Sequence, residues 1–268
     1  MNWDGVILIL RLFTCGKWRS FSSSAAVAPD VSSSPAQTRE APWAAGLRAA
    51  RANLLPGLIV QGSMLAILCG YYFYPPLAEW LNTLAEIKLA WSYGYSAVSA
   101  IIAGALIPEL MRVFVFQKGR VRSVNPRNLL FTIPYWATMG VTVDFFYRCQ
   151  AVWFGDQASF SVVIKKVMVD QFAYNPLFAA PVCAWLYDWK NRGYPRSGLG
   201  EFFTLHYYRN TVLPLLFATW GVWLPLVTIL YSMPSTLQIP LFALALTMWV
   251  LILTWMSEQR VAASAQRL

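Results

Sequence analysis

NTVLPLLFATWGVWLPLVTILYSMPSTLQIPLFALALTMWVLILTWMS, the segment Asn210–Ser257, holds no Asp, Glu, Lys or Arg in 48 consecutive positions. An apolar run of about 20 residues suffices to cross a bilayer as a helix, because a rise of about 1.5 Å per residue must cover roughly 30 Å of hydrocarbon. This segment is long enough to cross, turn between Pro234 and Pro240, and return. It sets the class of the whole chain as an all-α, polytopic bundle of transmembrane helices.

The rest of the chain agrees. Hydrophobic residues make up 57% and charged residues 12%, about half the charged fraction of soluble domains. Trp and Tyr gather near the ends of apolar runs, as at Tyr71, Tyr72 and Tyr74, or Trp185, Tyr187 and Trp189. Amphipathic rings settle at that depth of a membrane. The formal charge of +9 sits in the connections between apolar runs, so it reads as membrane topology and not as a nucleic-acid footprint. The lipid bilayer is the expected partner.

Six spans are predicted: Leu54–Tyr74, Leu89–Ile107, Leu129–Tyr147, about Val167 to Tyr187, Thr211–Met233 and Leu241–Met256. Alternate connections are basic. Arg39, Arg48 and Arg51 precede the first span, and Arg112, Lys118, Arg120, Arg122 and Arg127 follow the second. Lys190, Arg192, Arg196 and Arg209 follow the fourth, and Arg260 and Arg267 follow the sixth. The remaining connections hold only Lys88, then Arg148, Lys165 and Lys166. Both termini are therefore expected on the more basic side. Residues 1–50 form a separate expectation: a Ser-, Ala- and Pro-rich disordered or targeting-like segment. The membrane domain covers 51–258 and a short tail 259–268.

No enzyme constellation is legible. His206 stands alone, and Cys15, Cys69, Cys149 and Cys183 form no C-x-x-C pair, so no catalytic, metal or cofactor site is expected. Phosphate-binding and nucleophile-elbow motifs do not occur. What remains is polarity inside the bilayer, which costs at least about 2.5–3.5 kcal/mol per ionisable group and so needs a partner or a role. Asp144 stands near the end of the third span. Asp170 opens the fourth, with Lys166 and Tyr174 one turn to either side and Gln171 and Asn175 on the adjoining stripe. Asp170 either pairs with Lys166 or a neighbouring Arg, or lines a water-filled path. Pro176 and Pro181 free backbone carbonyls that something must satisfy. Ser92, Ser96, Ala100 and Gly104 form a ladder of small residues, and Gly62, Ala66 and Gly70 another, each suited to close helix contact within the monomer or, as an alternative, to a homo-oligomer seam.

The pattern Lys165-Lys166-x3-Asp170-Gln171-x4-Pro176 resembles the Mpv/PMP family, small integral proteins of peroxisomal and inner mitochondrial membranes. Arg127, Gly140 and Phe146-Tyr147 fall at the family's upstream spacings, with Val141 in place of its Pro and Phe146 in place of its Trp. Pro234, Trp249 and Trp255 keep the spacing of its ending. Ile229-Leu230 stands where the family has Asn-Phe, and Gln238 where it has Arg. The resemblance covers about Tyr95 to Glu258 and identifies the chain as a divergent, bacterial-like member. It implies a channel- or carrier-like protein passing small solutes or ions, with Asp144, Lys166, Asp170, Gln171, Asn175 and Gln238 as candidate path or polar-network residues. A non-conducting membrane scaffold is the alternative. The membrane implied is the bacterial plasma membrane, or the inner mitochondrial or peroxisomal membrane of a eukaryote.

Overall fold

Pro75 and Pro76 follow directly on an apolar helix, and proline at a helix start loses nothing, since the first N–H groups have no intrahelical partner. A second helix therefore begins there at once. The computed structural model describes residues 53–265 together with Leu47, Ala50 and Arg51, with side chains as far as Thr254. The expectation for residues 1–50 lies almost wholly outside the described residues. Among these, seven helices form one bundle and no strand occurs. They are α1 (Leu54–Phe73), α2 (Pro75–Trp91), α3 (Tyr93–Phe116), α4 (Val124–Phe154), α5 (160–191), α6 (Leu205–Tyr231) and α7 (Ser235–Ala265). α7 continues through most of the expected tail.

Helices α1, α3, α4, α6 and α7 are each long and apolar enough to cross a membrane, which is compatible with an integral membrane protein. α5 runs beside them. Its Asp170 end meets Tyr231, while its far end carries Tyr187 against Tyr135. It holds the predicted fourth span, about Val167 to Tyr187, but is not among the five helices long and apolar enough to cross a membrane. α2 does not traverse. The Tyr72 hydroxyl, just before α2, donates to the Ser232 carbonyl at 2.9 Å, and Lys88 in its last turn shares a cavity with Ser235 and Thr236. Both ends of α2 thus lie at the end of the bundle where α6 turns into α7, and α2 lies across that end with Leu81, Ala85 and Lys88 turned inward.

The predicted second span, Leu89–Ile107, is corrected at its start. Ser92 takes a positive φ of 50°, so the chain turns between α2 and α3 and the traverse begins at Tyr93. Asn53, the α3–α4 connection, the α5–α6 connection and the outgoing α7 share the end opposite α2. That end carries Arg51, Lys118, Arg120, Arg122, Lys190 and Arg196. Arg192 there bridges Asp188 and Glu201, each at 2.8 Å, and its hydrogen bond holds the Glu201 carboxyl below the ordinary range.

The ladder on α3 packs within the monomer, making α3 and α4 the most extensive helix pair of the bundle. A methyl group on Gly140 of α4 would meet the Ser96 carbonyl and sit 2.6 Å from the Ala100 Cβ, and one on Gly104 would enter the Trp136 ring. The matching ladder on α1 does not act this way. A methyl group on Gly62 would meet nothing within 4 Å, and one on Gly70 would meet only the Leu77 side chain of α2. Gly140→Ala should destabilise the bundle by about 1–3 kcal/mol, since the obstacle is backbone that cannot step aside. Gly62→Ala should not lower the melting temperature in detergent, and equal melting of the two variants would contradict this packing.

Candidate functional site

A proline in a transmembrane helix leaves a carbonyl without its donor, and hydrocarbon supplies no water to replace it. In α5 the stretch Asp170–Ala179 is wound as a π-helix, with bonds from each N–H to the carbonyl five residues back. In that register Pro176 orphans the Gln171 carbonyl and Pro181 orphans the Pro176 carbonyl. Both are satisfied from α6: the Trp220 indole N–H donates to Gln171 at 3.1 Å, and the Tyr208 hydroxyl donates to Pro176 at 3.1 Å. Two side chains of one neighbour hold the wide winding in place.

That winding sets out the polar stripe. Tyr231 of α6 donates its hydroxyl to Asp170 Oδ2 at 2.5 Å and accepts from Gln150 Nε2 of α4 at 2.6 Å. Gln171 Nε2 donates to Asp170 Oδ1 at 2.9 Å, and Asn175 Nδ2 reaches Gln171 Oε1 at 3.4 Å. A single chain of hydrogen bonds therefore links α4, α6 and α5. The expected pairing of Asp170 with Lys166 does not occur. The two remain one α-helical turn apart, the Asp170 N–H bonding the Lys166 carbonyl, but the Asp170 oxygens are taken by Tyr231 and Gln171 and the Lys166 ammonium lies 5.9 Å from the centre of the Tyr231 ring.

Asp144 belongs to a second group. Lys88 of α2 donates to both its oxygens at 2.9 Å, Ser96 of α3 donates at 2.5 Å, and Arg148 adds contacts at 3.0 and 3.3 Å. Arg148 also reaches Ser92 Oγ at 2.9 Å and covers the Tyr93 ring at 4.3 Å. This cluster fastens α2 and the strained Ser92 turn to α4.

Two hollows connect these groups. At the α2 end a polar vestibule of about 240 Å³ is bordered by Lys88, Asp144, Arg148, Asp156, Gln238 and Tyr147. Gln238 there donates to the Met233 carbonyl at 3.1 Å. Deeper, a cavity of about 160 Å³ between α4, α5, α6 and α7 is bordered by Asp170, Gln171, Tyr174 and Asn175 among aromatic rings. Tyr147 borders both hollows, packed against Tyr231 at 4.9 Å and Phe242 at 6.4 Å between ring centres. The inner cavity also shares Tyr135 and Met139 with an apolar groove of about 430 Å³ on the α4–α5 flank. Of the six predicted site residues, Asp170, Gln171 and Asn175 meet at the cavity, Asp144 and Gln238 at the vestibule, and Lys166 at neither.

Sequence reasoning missed Gln150, Tyr231 and Trp220, since their partners are 49 to 81 residues away. It also missed Glu109, buried near the end opposite α2. Arg112 donates to Glu109 at 2.6 Å, and Asn125 and Asn128 of α4 reach it at 2.5 and 3.4 Å. The adjacent signals in that segment were Pro108 and the three-residue spacing from Glu109 to Arg112. Comparison with protein-family models, curated proteins and solved structures gives no match for this chain.

Asp144→Asn should lower stability by about 3–5 kcal/mol, because it leaves the buried Lys88 ammonium without its counter-charge. Adding Lys88→Met should restore part of the loss in a detergent melting series. Additive losses in the double variant would contradict the pairing.

Proposed function

We propose that the chain is a channel- or carrier-like integral membrane protein that passes small solutes or ions and carries out no covalent chemistry. The observation that supports this reading is the sharing of Tyr147 by a polar vestibule and an inner cavity bordered by Asp170, Gln171 and Asn175. Ionisable side chains at membrane depth facing a cavity mark solute and ion pathways, and π-helical turns recur at functional sites. The resemblance of the Asp170-Gln171 segment to the Mpv/PMP family supports the same reading. On this reading Tyr147, with Tyr231 and Phe242 against it, is the constriction. Ions or solutes enter beside Asp144 and Arg148, pass the Tyr147 ring and meet the carboxylate of Asp170.

A scaffold role is the second reading, and the Asp144 cluster, which ties three helices together, favours it. Flux from sealed vesicles separates the two. Purified protein reconstituted into liposomes should release small ions or solutes faster than empty liposomes, and Tyr147→Ala should raise the rate several-fold. Vesicles that stay sealed with both proteins, each shown to be folded, would overturn conduction and leave the scaffold.

A further inference from the structure

The walls of the inner cavity specify a ligand charge. Among the described residues, Asp170 is the only carboxylic acid on them, and no Lys, Arg or His borders the cavity. Its two oxygens accept from a phenol and an amide, both neutral donors, and among the described residues no cation lies within ion-pair distance of it. Lys166, one turn away, does not border the cavity. The lining includes the aromatic rings of Tyr135, Trp136, Tyr147, Trp223, Phe242 and Trp249, with Tyr174 stacked on Phe146 at 4.1 Å.

A negative charge set among aromatic faces attracts a cation on both counts. Ring quadrupoles draw an organic cation, Trp most strongly. A hard inorganic ion needs a shell of oxygen ligands, whereas both Asp170 oxygens and Gln171 Oε1 already accept hydrogen bonds and the Trp136, Trp223, Phe242 and Trp249 faces offer none. Size adds a limit. A cavity near 150 Å³ accommodates a molecule of benzene's size, so the roughly 160 Å³ here fits about six or seven non-hydrogen atoms. We infer that this cavity binds a small alkylammonium ion of the size of tetramethylammonium or choline, with Asp170 as counter-ion and the Trp223, Trp249 and Trp136 rings as its walls. The inference deepens the conducting reading by naming the class of solute, but binding itself does not require passage across the membrane.

Binding and flux are therefore measured separately. In a maltoside detergent, which carries no ammonium group, choline or tetramethylammonium should change the tryptophan fluorescence saturably. The neutral carbon isostere of choline, dimethylbutanol, should bind at least about tenfold more weakly, the factor that corresponds to loss of one modest cation–π contact set. Asp170→Asn should weaken choline binding by a similar factor. Should that variant fail to fold, Trp249→Leu and Trp223→Leu test the rings without touching the charge, and each should weaken choline more than dimethylbutanol. Equal affinity for choline and its isostere, or no saturable binding of either cation, would overturn the inference. Because a phosphocholine headgroup presents the same cation, short-chain phosphatidylcholine is tested as a competitor. Displacement of choline would point to a lipid source, and no displacement to a free solute. Choline binding with liposomes that stay sealed to every solute and ion tested would leave the binding site standing and remove the conducting reading; flux of other ions without choline binding would do the reverse.

Discussion

The structure depends on one constraint, which is that a carbonyl freed inside a bilayer must find a protein donor. Pro176 and Pro181 create two such carbonyls in α5, and α6 answers each with one side chain, Trp220 and Tyr208. These bonds are more than repairs. They fix how α5 faces α6, and they stabilise a winding that a ten-residue stretch does not ordinarily sustain. The wider turn holds Asp170, Gln171, Tyr174 and Asn175, and all four border one hollow. Backbone bookkeeping thus decides which polar groups meet.

The two buried carboxylates of the middle of the bundle have different fates for a physical reason. Asp144 faces Lys88, Ser96 and Arg148, so its charge is compensated where it stands, and its work is to fasten α2 and the Ser92 turn against α4. Asp170 meets only neutral donors from Tyr231 and Gln171. Its uncompensated charge borders a space walled by aromatic rings. One turn from Asp144 on α4, size is the constraint: Gly140 and the Ser96–Ala100 face bring α3 and α4 together closely enough to leave no room for a methyl group.

Much of this was legible in the sequence. The 48 uncharged positions from Asn210 fixed α6 and α7, and apolar runs likewise marked α1, α3 and α4. Asp170, Gln171 and Asn175 stood out because polarity in an apolar span is costly. α2 was hidden, since Pro75 and Pro76 signal a turn and a helix start alike, and only the tertiary position of Lys88 shows that it lies across the bundle. The positive φ at Ser92 has no sequence signature. Gln150, Tyr231 and Trp220 were hidden for another reason: an aromatic ring or amide within an apolar run looks the same whether it meets lipid or a partner 61 residues away.

The central claim is that the polar stripe of α5 is reached by water through the vestibule at the α2 end. Thiol accessibility tests it directly. In a variant lacking its native cysteines, Asn175→Cys should react with a cationic, membrane-impermeant thiol reagent added from the α2 side, and Tyr147→Ala should speed that reaction. Phe172→Cys, on the exposed flank of the same winding, should stay unreactive within lipid. Asn175→Cys as inert as Phe172→Cys from both sides of the membrane, with or without Tyr147→Ala, would contradict the account.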